Sequence, residues 1–158
     1  MSNPIIRSTR PAGRIVYSSE LQATVVLNAT AGDKSLPSVV LPTNPVPNGT
    51  TIHRVTAAIS FRKIVESSGS ANATVAAQDI QVRSDAPGTY IDAIDFPDNS
   101  FPVAASATEG GMMVAGDQDL TSEVDGADTY EFQWDEADCD AASLTFHDWQ
   151  CHLIVEYR

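Results

Sequence analysis

Helical periodicity is missing from this sequence. Across its 158 residues, apolar side chains nowhere recur every three to four positions, apart from room for one turn at 117–124. That excludes helix bundles and folds of alternating strand and helix. No apolar run approaches the roughly 20 residues of a membrane helix. The opening Met1-Ser-Asn-Pro-Ile-Ile-Arg has no apolar stretch of the kind a secretory leader needs, so no signal peptide is expected. There is no G-x-S-x-G, phosphate loop, dinucleotide fingerprint or H-E-x-x-H, so the motif-borne enzyme classes drop out. Lysine occurs only twice, at Lys34 and Lys63, and the formal charge is −12. A chain so poor in base is not expected to bind nucleic acid or anionic lipid over its whole surface.

The charge that is present is unevenly placed. Residues 1–78 hold seven basic and three acidic side chains, a net +4; residues 79–158 hold two basic and eighteen acidic, a net −16. The first 19 residues carry Arg7, Arg10 and Arg14 and no acid. With Pro4, Pro11 and Gly13 they read as an extended basic arm, residues 1–19, ahead of a single body, residues 20–158. Such an arm suits the acidic surface of a neighbour.

Along the body the period is two. Leu21, Ala23, Val25 and Leu27 share one face of a strand. Val55, Ala57, Ile59 and Phe61 do the same in the longest candidate, 51–66, whose phase slips before Ile64 and Val65 and so predicts a bulge. Tyr130, Phe132 and Trp134 alternate with Glu131 and Gln133, and Trp149, Cys151, Leu153, Val155 and Tyr157 line one face of the last strand. Residues 109–116 fit either a strand or an irregular loop. Eight to ten strands, separated by turns rich in Gly, Pro, Asn and Asp, predict an all-β, two-sheet antiparallel β-sandwich of jelly-roll type.

Candidate sites are few. Asp117 and Asp119, with Asp135, Asp138 and Asp140, supply hard oxygen ligands that calcium would accept, although no EF-hand spacing occurs. The default reading of them is nevertheless a set of solvated acidic loops. His147 and His152 are five apart, which puts them on opposite faces of a regular strand and denies them a shared metal unless a bulge intervenes. With no export signal, Cys139 and Cys151 read as free buried thiols. The alternating aromatics point inward, away from sugar stacking. No catalytic residue and no cofactor are expected.

Three segments carry a resemblance: Val55-Thr-Ala-Ala-Ile-Ser-Phe-Arg62, Gly88-Thr-Tyr-Ile-Asp-Ala-Ile-Asp95 and Leu144-Thr-Phe-His-Asp-Trp149. In these, and in the arm ahead of an all-β body, the chain resembles small virion structural proteins of tailed phages and related viruses. The resemblance implies a non-enzymatic capsid-associated protein of decoration, cement, minor capsid or fibre type. Its partners would be copies of itself or the major capsid protein, and its location the virion, assembled in the host cytoplasm. Arg7, Arg10 and Arg14 would form the assembly contact. The competing expectation is a carbohydrate-binding or lectin-like sandwich, calcium-dependent in some forms.

Overall fold

The computed structural model describes residues 12–66, 72–84, 88–140 and 143–158. Among these residues eleven strands and no helix are present. In chain order they are β1 (Gly13–Ser18), β2 (Gln22–Asn28), β3 (Lys34–Val40), β4 (Ile52–Glu66), β5 (Ala73–Val75), β6 (Gln78–Ser84), β7 (Ile91–Phe96), β8 (Ser100–Val103), β9 (Thr108–Ala115), β10 (Thr129–Trp134) and β11 (Ser143–Tyr157). The 117–124 segment makes one turn only, with Val124 N–H donating to the Leu120 carbonyl at 2.7 Å.

The first sheet runs β1-β11-β4-β9, with β2 beside β1 on the same edge of β11; the second runs β3-β10-β6-β7. All pairings are antiparallel. Setting β1 aside, the chain visits β2, β3 and β4 in alternating sheets. It then forms the β6–β7 hairpin and alternates again through β9, β10 and β11. That winding is a jelly roll of two four-stranded sheets, with β5–β8 as a small added ladder.

β1 and β2 together shadow one edge of β11. β1 pairs with its C-terminal half, Gly13 opposite Tyr157 and Ser18 opposite His152, and β2 with its N-terminal half. Ser19 bridges the two: its N–H donates to the Cys151 carbonyl at 2.9 Å, and its hydroxyl accepts from Cys151 N–H at 3.0 Å. The segment read as arm is therefore part of the sheet from Gly13 onward. Leu21, expected to face inward, precedes β2 and is 58% exposed; of its expected companions Val25 and Leu27 are buried.

The core lies between the sheets. Val55, Ala57, Ile59 and Phe61 of β4, Tyr130, Phe132 and Trp134 of β10, and Trp149, Cys151, Leu153 and Val155 of β11 are all buried. Six rings meet at its centre: Phe61, Phe96, Phe101, Trp134, Phe146 and Trp149, in pairs with centroids 5.1 to 5.9 Å apart. Phe146 meets Phe61, Phe101, Trp134 and Trp149, mostly edge to face.

The phase slip read in β4 is present and has a counterpart. On β4 the buried face passes from Phe61 to Ile64, and on β11 from Phe146 to Trp149. Asp148 takes a positive φ of 55° at the slip, and its carboxylate pairs with the Arg62 guanidinium opposite. Gly111 of β9 lies against the same place, where a Cβ would run into the Phe61 and Arg62 carbonyls. Only glycine lets β9 follow β4 there. Truncating Phe146 to alanine should lower the unfolding free energy by about 3–5 kcal/mol. A urea titration followed by tryptophan fluorescence reads this, since both tryptophans contact that ring; a loss below about 1 kcal/mol would show that the cluster is not the centre of stability.

Candidate functional site

The sequence-predicted residues do not converge. Arg7 and Arg10 lie outside the described residues. Arg14 sits on β1, 61% exposed, with its guanidinium 3.1 Å from the Glu156 carboxylate of the adjoining strand. An exposed pair of this kind contributes little stability.

Of the candidate calcium ligands, the carboxylates of Asp119, Asp138 and Asp140 fasten loops, while Asp117 and Asp135 are tied through their backbone. Asp119 accepts from the Thr121 N–H at 3.0 Å and from its hydroxyl at 2.5 Å, contacts that hold its carboxyl below the usual range. The Asp117 carbonyl takes the Arg54 guanidinium at 2.7 Å. Asp138 accepts from the Gln78 amide, and Asp140 from Thr74 N–H at 2.6 Å. Asp135 gives its backbone N–H to the Asp79 carbonyl. Among the described residues no group of three or more His, Cys, Asp or Glu is placed to hold a metal ion.

The paired slip changes the histidine geometry. It restores His147 and His152 to one face, the outer face of the first sheet. His152 is held between two hydroxyls, Ser18 Oγ at 2.8 Å from Nδ1 and Ser60 Oγ at 2.7 Å from Nε2. Burial lowers its pKa, so the neutral ring donates to one serine and accepts from the other. This clamp seats β1 on β11 and β11 on β4. Cys139 and Cys151 are both free and buried. Desolvation pushes the Cys151 thiol up to about 12, which makes it inert, and its sulfur accepts the Trp149 indole N–H at 3.4 Å.

Sequence reasoning did not find the outer face of the second sheet, because register alone brings its residues together. Asp79 of β6 lies directly opposite Asp95 of β7, and Asp92 lies opposite Gln81, whose amide donates to it at 2.9 Å. Burial first, and then the charges of Asp92, Asp95 and Asp135, raise the Asp79 pKa. This is a patch of mutually repelling carboxylates.

Beside it, where β3 slips register between the partners of Tyr130 and Phe132, is a recess of about 330 Å³. It is lined by Arg83 and Glu131, 2.6 Å apart, and by Ser35 and Ser38. The Arg83 guanidinium lies 4.4 Å from the centre of the Tyr90 ring. Burial pushes the Tyr90 phenol up, against the lowering pull of Arg83.

The third feature is an edge. β9 closes the first sheet, and every residue of it is exposed except Val114, which is half-buried. Met112 and Met113 are 49% and 55% exposed.

No family model and no curated protein matches this chain. Among solved structures it is similar to FlhE, at 13% identity over 93% of this chain and 99% of that one, with a TM-score of 0.39. It is similar to the xylan-binding module CBM15, at 13% identity over 90% and 97%, with a TM-score of 0.41. It is similar also to the capsid protein of BFDV, at 9% identity over 93% and 98%, with a TM-score of 0.31. These values assign neither a family nor a function.

The carboxylate patch has a consequence for stability. Asp79 holds its proton more tightly folded than unfolded. Stability is therefore highest with that proton bound and falls as pH rises from the ordinary aspartate value of 3.8 through the folded value. Replacing Asp79 by asparagine should raise the stability near pH 7 by about 0.2–1 kcal/mol, the range for a relieved cross-strand repulsion. The gain should vanish below the ordinary aspartate value. Urea midpoints at the two pH values check this, and an unchanged midpoint near neutrality would mean that the patch carries no net repulsion.

Proposed function

We propose that this chain is a non-enzymatic assembly protein of a viral particle, a decoration, cement or minor capsid component. It associates with its own copies or with a major capsid protein through its basic N-terminal segment. The observation that carries this reading is the separation of charge on the folded chain. The acid-free stretch with Arg7 and Arg10 leads directly into β1, an edge strand of the first sheet. The repelling carboxylates Asp79, Asp92 and Asp95 lie on the second sheet. Each copy thus carries a cationic strap and an acidic body that draws another copy's strap, and such heterologous contacts propagate into rings or shells. The virus setting comes from the sequence resemblance. Arg14 is already paired with Glu156, so Arg7 and Arg10 supply the contact.

One observation favours a second reading, a carbohydrate-binding module. The Arg83–Tyr90–Glu131 recess sets an aromatic ring beside paired charges and serine hydroxyls, a mixture of apolar and hydrogen-bonding groups suited to a sugar. A glycan array probed with and without calcium tests it, and Tyr90→Ala would abolish any binding found.

The assembly reading is tested by the mass in solution of full-length protein and of a version lacking residues 1–11, at low and high salt. Full-length protein should be oligomeric at low salt and shift towards monomer in high salt. The truncated form should stay folded and monomeric throughout. Equal masses for both forms at every salt concentration would refute the role of the segment.

A further inference from the structure

The acceptor for that segment is also readable. We propose that the free edge of β9 receives residues 5–10 of a second copy as an added strand. The inference rests on the assembly reading and adds to it the site where the segment docks.

β9 lacks the devices that keep sheet edges from pairing. It has no proline and no lysine, and its single charge is Glu109 at one end. Gly110 and Gly111 leave the backbone bare at mid-strand, and beside them the exposed Met112 and Met113 offer adaptable apolar surface. Its outward N–H and C=O groups have no strand partner among the described residues.

The occupant follows from composition, charge and reach. Between Pro4 and Pro11 runs Ile5-Ile6-Arg7-Ser8-Thr9-Arg10, six residues of which three are β-branched. A proline at each end limits the strand to about the length of β9. Acids flank the acceptor, Glu109 at its start and Asp117 and Asp119 beyond its end, and the inserted segment brings Arg7 and Arg10.

The segment cannot reach its own β9. β1 and β9 stand at opposite edges of one sheet, three strand spacings or about 14 Å apart. They are also offset along it, since Gly13 is level with the start of β4 through Tyr157 and β9 pairs only with 58–65. Only Pro11 and Ala12 separate Arg10 from Gly13, a span of at most about 11 Å. The strand therefore comes from another molecule. The donor edge of one copy then meets the acceptor edge of the next, and the first sheets join in series.

Hydrogen–deuterium exchange of Thr108–Ala115, read with the mass in solution, tests this. In assembled full-length protein, β9 amides should exchange about tenfold or more slower than in protein lacking residues 1–11. A synthetic peptide of residues 1–11 added to the truncated protein should restore the protection. If truncation dissolves the assembly while β9 exchange is unchanged, the segment docks elsewhere; the β9 site is overturned and the assembly reading stands. If truncation leaves the assembly intact, the reading fails and takes the β9 site with it. Protection of β9 in a full-length monomer would overturn the second copy as occupant.

Discussion

Everything else in this molecule depends on the six-ring cluster between its sheets. A jelly roll is wound from crossovers, so neighbours in sequence sit in different sheets and little holds the sheets together except what is buried between them. Here that filling is aromatic. Phe61, Phe146 and Trp149 come from the first sheet, Phe96 and Trp134 from the second, and Phe101 from the small added ladder. Six of the nine ring pairs meet edge to face, a geometry that gives a preferred angle as well as a buried area. The cluster therefore sets the relative position of the sheets, and with it the shape of both outer faces.

The paired slip is the accommodation this cluster requires. Phe61 and Ile64 on β4 must both point inward, as must Phe146 and Trp149 on β11. A strand of strict period two cannot do that with two residues between them. Both strands slip at the same level, Asp148 absorbs a left-handed conformation, and Arg62 crosses to meet it. Gly111 then allows β9 to lie close against the irregularity. The glycine at Gly111 is thus a consequence of how the core is filled.

Electrostatics divides the two outer faces. On the first sheet Arg14 meets Glu156, and Arg62 meets Asp148, while His152 is neutral between two serines. On the second, Asp79 faces Asp95 with no base between them. A chain at −12 must place its surplus acid somewhere. Asp79, Asp92 and Asp95 give the second sheet's outer face a local excess of acid, one part of the negative charge that draws a cationic partner. The same face holds the Arg83–Tyr90–Glu131 recess, on the other sheet from the β9 edge, so sugar binding and assembly would use different surfaces.

Local pattern alone determined the all-β class, the inward faces of β4, β10 and β11 and the presence of a slip after Phe61. Those properties live in the period of two and in the residues that interrupt it, which a single strand displays without its partners. It left 109–116 undecided between strand and loop, because an edge strand exposed almost throughout has no buried face to impose alternation. A strict period of two puts His147 and His152 on opposite faces; the sequence does break that period between Phe146 and Trp149, but only the pairing of β11 with β4 makes the break a slip within one continuous strand. The meeting of Asp79 with Asp95, the recess at Arg83 and the distance from Arg10 to β9 were decided only by tertiary structure. Each depends on cross-strand register and sheet order, which are set by how the aromatic core packs and by no residue acting alone.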